Sequence, residues 1–378
     1  MRGTRYNGAF LVERLLINDL GRHNEPLMAE LQARVRAVLE SGWYILGAQG
    51  AEFEKAFAAY CGTAHCLGVA NGTDALELAL RALGVAPGDQ VATVANAGGY
   101  STTAIRAAGA EPLFVDVDGA SMLMDPAALR AALTPRTKAI IATHLYGRIA
   151  DLPRITGIAD AAGIPVVEDC AQAHGGRLAG KAAGAWGALG CFSFYPTKNL
   201  GALGDAGAVV TNNAGLAQRV GELRQYGWRR KYECSAPGGR NSRLDELQAA
   251  ILCAKLPHLD RWNARRREIA ALYSELLTGG GVDVPPAPGE HDVVHLFVVR
   301  TRDRDRVRAQ LAAQGISAEV HYPIPDHRQE CYAAEAWAQV ELPETERCCR
   351  EVLTLPCFPE MRDDEVVRVA DAVKTVRG

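Results

Sequence analysis

Three short segments of this 378-residue chain carry side chains able to do chemistry together. The first is Val69-Ala-Asn-Gly-Thr-Asp-Ala75, between a β-rich run and a helical pattern. Gly72 permits a tight turn, and Thr73 brings a hydroxyl and an amide to the start of the helix. Unpaired amides and the helix dipole suit such a position to an anion, most naturally a phosphate. An ordinary turn capped by Thr or Asp is the competing reading. The second is Val166-Val-Glu-Asp-Cys-Ala-Gln-Ala-His-Gly175, an apolar strand ending in Glu168 and Asp169, with Gln172 and His174 just beyond. A carboxylate there positions a ligand or cofactor nitrogen, or serves as a helix cap or paired structural acid. The third runs from Cys191 to Gly207, where Lys198 follows an aromatic strand and precedes a Gly-rich stretch. A lysine held against buried surface loses its charge more readily, and its amine becomes a nucleophile. Glycines at 201, 204 and 207 do not form the dinucleotide fingerprint, which argues against a nicotinamide cofactor.

In chain order these are a phosphate turn, an acid at a strand end and a lysine after a strand. That is the set pyridoxal 5′-phosphate (PLP) requires: an anchor for the phosphate, an aspartate that keeps the ring nitrogen protonated, and a lysine for the Schiff base. A protonated ring draws electrons when the substrate's α-proton leaves, and the freed lysine can carry that proton between carbons.

The elements that must position these groups are legible around them. Strands are expected at His65–Ala70, Gln90–Ala95, Pro112–Asp116, Ala139–His144, Pro165–Asp169, Gly190–Phe194 and Ala206–Thr211. Helical patterns separate them, such as Asp74–Leu83 stopped by Gly84, and Pro126–Leu133 capped by Asp125. The alternation predicts an α/β architecture, a mostly parallel sheet with helices on both faces and ligands at the carboxyl ends of the strands. Glu25–Ser41 reads as an amphipathic helix ahead of the sheet. Residues 243–277 read as one long helix with a break at Pro257, its Arg265-Arg-Arg-Glu268 cluster taken as a solvated face. A strand at His295–Arg300, a helix at Arg304–Gln314, a short strand at Ala318–His321 and terminal helices suggest a small α+β unit. The expected division is 1–255, a large cofactor-binding domain, and 256–378, a small C-terminal domain.

Composition excludes several classes. With 48% hydrophobic and 22% charged residues, the chain is neither disordered nor a coiled coil. A net charge of −3 offers no broad basic surface for nucleic acid or acidic lipid. No uncharged apolar run reaches the ~18 residues of a membrane span, and Met1–Phe10 lacks the apolar core of a leader. Ten scattered cysteines complete no zinc set and no disulfide scaffold, so reduced thiols in a cytoplasmic protein without bound metal are expected.

Further motifs extend the pattern: Ser41-Gly-Trp-Tyr-Ile-Leu-Gly47, Asn71-Gly-Thr-Asp-Ala-Leu76, Glu168-Asp-Cys-Ala-Gln-Ala-His-Gly175, Ser193-Phe-Tyr-Pro-Thr-Lys-Asn-Leu-Gly201, Asn241-Ser-Arg-Leu-Asp-Glu-Leu-Gln-Ala-Ala250 and His321-Tyr-Pro-Ile-Pro-Asp-His327. In order and spacing the chain resembles the DegT/DnrJ/EryC1/StrS family of sugar aminotransferases, from about Leu15 to near the C-terminus. The resemblance implies the fold-type I PLP-dependent transferase architecture and a homodimer with active sites at the subunit interface. It assigns Lys198 as the Schiff-base lysine, Asp169 as partner of the pyridine nitrogen and Gln172 as a contact of the ring hydroxyl. Gly72, Thr73 and Ser193 would hold the phosphate, with Asn241 reaching it from the other subunit. Trp43, Tyr44, His321, Tyr322 and His327 match positions that line the sugar-nucleotide side, although the two histidines equally fit packed loop positions.

Three departures stand out. In Ala95-Asn-Ala-Gly-Gly-Tyr-Ser101 the resemblance puts Gly98 where an aromatic side chain stacks on the cofactor ring, leaving that face to Tyr100 or to a different cover. Ala206 and Ala188 replace a glycine and an aspartate without removing a catalytic group. The implied activity is transfer of an amino group, expected from glutamate, to a nucleotide-linked keto-deoxysugar, with a dTDP-3-keto-6-deoxyhexose favoured by Thr143-His-Leu-Tyr-Gly147 and the His321–His327 loop. Alternatives are a 4-keto nucleotide sugar, a keto-cyclitol, or a regulator that binds without turnover. The dehydratase branch of the fold carries histidine in place of Lys198.

Overall fold

Seven strands form one sheet in the computed structural model, which describes residues 14–375. They are His65–Val69, Gln90–Thr93, Glu111–Phe114, Thr137–Thr143, Val166–Asp169, Leu189–Ser193 and Gly207–Thr211. Named by first residue, their order across the sheet is 65, 207, 189, 166, 137, 90, 111. Only the Gly207 strand runs against its neighbours; the others are parallel. Successive side chains alternate between the two faces of a strand. Accordingly Ile140, Ala142, Val166, Phe192 and Val210 enter one core, while Ala139, Ile141, Val167, Cys191 and Val209 enter another.

The second core is filled by the helix Gly72–Ala82, buried at every position from Asp74 to Leu80. Asn71 caps it by accepting the Asp74 N–H at 2.8 Å, and Gly84 at φ +79° turns the chain away afterwards. Helices Met28–Ser41 and Ala48–Cys61 pack on Glu246–Lys255. A third core gathers Tyr273, Leu277, Phe297, Leu311, Leu353 and Phe358, together with Leu15 from the other end of the chain.

Several expectations need correction. The break expected at Pro257 is present as a 3-10 turn between Glu246–Lys255 and Leu259–Leu277, but the first of these helices starts at Glu246 rather than at residue 243. The arginine cluster is not a uniformly solvated face, because Arg266 is 2% exposed. Its Nη1 donates to the carbonyls of Cys357 at 2.7 Å and His295 at 3.2 Å. Ala318–His321 supplies only an isolated bridge, Glu319 to Thr354. The true partner of Phe297–Arg300 is Val352–Leu355, antiparallel to it, in a stretch assigned to helix from sequence. All four of its residues are buried, so no alternation marked it as a strand.

All ten cysteines are free thiols, and only Cys234 and Cys331 are exposed. Among the described residues no helix is long and apolar enough to cross a membrane. Met1–Phe10, read above for a leader, lies outside the described residues.

Candidate active site

A cavity of about 880 Å³ lies at the carboxyl ends of the parallel strands. Gly72, Thr73, Tyr100, Asp169, Gln172, Ser193, Lys198, His321 and Tyr322, all singled out from sequence, line it together. Strand alternation separates the two neighbouring acids. Glu168 is fully buried on one face, accepting the N–H groups of Gly184 (2.8 Å), Trp186 (2.7 Å) and Gly187 (2.8 Å), with His144 Nε2 at 3.1 Å. Asp169 reaches the cavity, where its carboxylate accepts the Ala171 N–H at 3.1 Å. Burial pushes the Asp169 carboxyl up, opposed by that N–H and by the charge of Lys198.

Lys198 stands in the turn after Leu189–Ser193, its own N–H bonded to the Tyr195 carbonyl at 2.8 Å. Burial pulls its amine down to about 8, partly opposed by the Asp169 carboxylate. The turn is clamped from below. Asn199 donates to Asn263 Oδ1 (2.8 Å) and the Val293 carbonyl (3.0 Å), and its oxygen meets His295 Nδ1 at 2.9 Å. Lys255 Nζ, itself buried, donates to the Gly201 carbonyl at 2.9 Å.

At the other side the helix Gly72–Ala82 points its first turn into the cavity. With Asn71 occupying the Asp74 amide, the amides of Gly72 and Thr73 have no intrahelical acceptor. A Cβ at Gly72 would lie 2.6 Å from Ser193 Cβ, so only glycine brings the helix start this close to that serine. These residues fit a PLP phosphate. A buried carboxylate with one N–H partner fits a protonated ring nitrogen, and the cavity-lining Thr143 Oγ1 is buried without a protein partner. Gln172 ties two walls together: Oε1 accepts the Tyr146 N–H at 2.6 Å, and Nε2 donates to the Tyr322 hydroxyl at 3.2 Å.

Other candidates stay outside. Trp43 (63% exposed) and Tyr44 lie on the surface, as does Asn241, bridged to Gln225. His327 has a fully buried side chain, held by Glu346 at 3.1 Å and packed near Phe114; it is a packed histidine, not a cavity contact. Conversely, the sequence pattern did not mark Asn18, Thr143, His144 or His295 as cavity residues. His295 lies two residues ahead of the strand Phe297–Arg300, among apolar neighbours, a context without a chemical signal. His144, Glu168 and Cys170 bring three ligand-type atoms within 4.8 Å. Glu168 is already committed to three amides, however, and His144 Nδ1 accepts the Ala150 N–H at 3.1 Å, which makes the trio a structural knot.

A half-buried lysine and an acid at the ends of parallel strands, facing a helix N-terminus, define a transferase of the aminotransferase fold. The chain belongs to the DegT/DnrJ/EryC1/StrS aminotransferase family, whose model matches residues 26–374. It is 46% identical over 358 residues, 94% of each chain, to a dTDP-3-amino-3,4,6-trideoxy-alpha-D-glucose transaminase of Streptomyces venezuelae. It is 47% identical over 356 residues, 94% of this chain and 97% of the other, to a dTDP-3-amino-3,6-dideoxy-alpha-D-galactopyranose transaminase of Aneurinibacillus thermoaerophilus. The crystal structure of S. venezuelae DesV in complex with a ketimine intermediate superposes with a TM-score of 0.93 at 45% identity, covering 97% of this chain and 99% of that one.

Proposed function

We propose that this chain is a PLP-dependent aminotransferase that moves an amino group from an amino acid, glutamate, to the 3-keto carbon of a dTDP-linked 6-deoxyhexose. The observation that carries the reading is the convergence of Lys198, Asp169 and the Gly72–Thr73 helix start on one cavity, supported by two relatives named for 3-amino dTDP-sugars. PLP when bound supplies the electron sink for cleavage of the bond to the amino acid's α-hydrogen. Gly72, Thr73 and Ser193 hold its phosphate, and Asp169 keeps its ring nitrogen protonated. Lys198, with its amine lowered to about 8, alternates between holding the cofactor and carrying the substrate proton. Among the described residues no arginine lines the cavity; in this reading a second copy, presenting Asn241 and the exposed Trp43 and Tyr44, completes a homodimeric site for the anionic sugar nucleotide.

The test is Lys198→Ala with a glutamate-coupled assay on thymidine- and uridine-linked 3-keto and 4-keto sugars. Loss of at least about 10²–10⁴-fold in turnover is expected, and borohydride treatment of the wild type should fix cofactor mass on the Lys198 peptide. Wild-type turnover by the variant sinks the assignment, and preference for a 4-keto sugar sinks the regiochemistry.

A further inference from the structure

The turn after Gln90–Thr93 carries no side chain at Gly98, beside the cavity-lining Ala97. Gly98 sits at φ +84°, and a Cβ there would lie 2.8–3.0 Å from three ring carbons of Tyr322. The Tyr322 ring therefore rests directly on the Gly98 backbone. Its hydroxyl is held by Gln172 Nε2 at 3.2 Å, and its edge meets Tyr100 with centroids 6.3 Å apart at 77°. The residues around it are pinned too. The His321 carbonyl accepts the Tyr146 hydroxyl, the Asp326 N–H donates to the Ala95 carbonyl at 2.8 Å, and Thr102 Oγ1 donates to Asp326 Oδ2 at 2.5 Å. Two further tyrosines among the described cavity residues, Tyr100 and Tyr195, are 51% and 52% exposed.

We propose that Gly98 and Tyr322 are a matched pair: the glycine vacates the wall, and the Tyr322 ring supplies the flat surface against which the cofactor ring rests. The inference rests on the PLP reading above. A planar heteroaromatic ring gains from contact with an aromatic face or edge beyond the area it buries, and Tyr322 is the ring in this cavity already fixed at both ends. The glycine is required twice, by its positive φ and by the space the ring occupies. Cofactor retention then depends on seating of the 319–326 loop, which pairs through Glu319 with the C-terminal strand at Thr354.

The experiment uses the full-length apoprotein and pyridoxamine 5′-phosphate, which forms no covalent bond to Lys198, with dissociation constants from calorimetry and the induced visible circular dichroism of bound PLP as a second readout. Tyr322→Phe keeps the ring and should bind within about twofold of wild type. Tyr322→Leu should bind about two- to tenfold more weakly, the equivalent of about 0.5–1.4 kcal/mol, and alter the dichroism. Gly98→Ala, which pushes the ring aside, should weaken binding similarly, and the double variant should be no worse than the weaker single one. Wild-type affinity in Tyr322→Leu overturns the proposal, as do equal losses in Phe and Leu, or additive losses in the double variant. If Gly98→Ala does not fold, the Phe and Leu comparison decides. A wild type that takes up neither form of the cofactor overturns the aminotransferase reading itself; normal uptake by wild type and Tyr322→Leu alike overturns only the pair.

Discussion

Glu168 and Asp169 are adjacent acids with opposite work, so converting each to its amide should have opposite consequences. The Glu168 carboxylate accepts three backbone N–H groups at 2.7–2.8 Å and faces His144, all away from solvent. Glu168→Gln replaces one accepting oxygen with a donor, which points at a donor whichever way the amide turns. At least one charge-assisted bond, about 1.5–3 kcal/mol, is lost and one buried N–H is left orphaned at about 1–3 kcal/mol; partial relaxation brings the expected net to about 2–4 kcal/mol. Asp169 accepts one N–H, from Ala171, which the oxygen of an amide keeps. Burial already disfavours its charge, so Asp169→Asn should leave the fold intact within about 1 kcal/mol while impairing the cofactor. Hydrogen exchange is the suitable assay, because a chain whose core is divided into several clusters need not unfold in one step. In Glu168→Gln the amides of Gly184, Trp186 and Gly187 should exchange roughly 30- to 1,000-fold faster, and in Asp169→Asn at the wild-type rate. Unchanged protection in the glutamine variant, or lost protection at those amides in the asparagine variant, refutes the division of labour.

Three other outcomes follow from buried groups. Burial pushes Asp326 up to about 6 against the Thr102 and Gly99 bonds, so the folded chain keeps this proton to higher pH than the unfolded one, and stability is lost as pH rises from about 4 to about 6. Asp326→Asn should therefore gain on wild type by up to about 3 kcal/mol between pH 4 and pH 7 in urea titrations; parallel pH curves would show the charge is not buried. Arg266→Met should cost about 2–4 kcal/mol by stranding carbonyls of His295 and Cys357, and an unchanged melting temperature would contradict this. Because only the neutral amine of Lys198 captures PLP and its ammonium loses its proton near pH 8, the capture rate of the apoprotein should rise about tenfold per pH unit below 8 and level off above. A flat profile from pH 6 to 9 would remove the lowered amine from the explanation.

How much of this was legible depended on the range of the contacts involved. The seven sheet strands show in the sequence because each is a short, mostly apolar run alternating with helical patterns, and their carboxyl ends carry Asp169, Ser193 and the Gly72–Thr73 turn. Which of two consecutive acids enters the cavity came from the family resemblance, which assigned Asp169; the local pattern alone leaves it open, because it depends on which face of Val166–Asp169 meets the helix Gly72–Ala82. Val352–Leu355 was given no strand, because all four of its side chains are buried and no apolar–polar alternation sets it apart. Arg266 looked solvated because its partners are carbonyls, which leave no mark in side-chain identity. His295 and the seating of Tyr322 over Gly98 depend on contacts between distant segments, and no local pattern announces them.

Those distant contacts converge on one helix, and that bears on how the lysine is held. Along Leu259–Leu277 the buried stripe runs through Trp262, Asn263 and Arg266 and continues through Ile269, Ala270, Tyr273 and Leu277. The first part holds the active-site floor: Asn263 binds Asn199, the residue after Lys198, and the His174 carbonyl at 2.8 Å, while Arg266 binds the His295 carbonyl. The second part is the wall of the C-terminal core. A helix transmits displacement along its axis far better than a loop does, so packing at Tyr273 and Leu277 sets where Asn199, and hence Lys198, can sit. The C-terminal strands thus hold the cavity twice, through this helix beneath the lysine and through the 319–326 loop that carries Tyr322 above it.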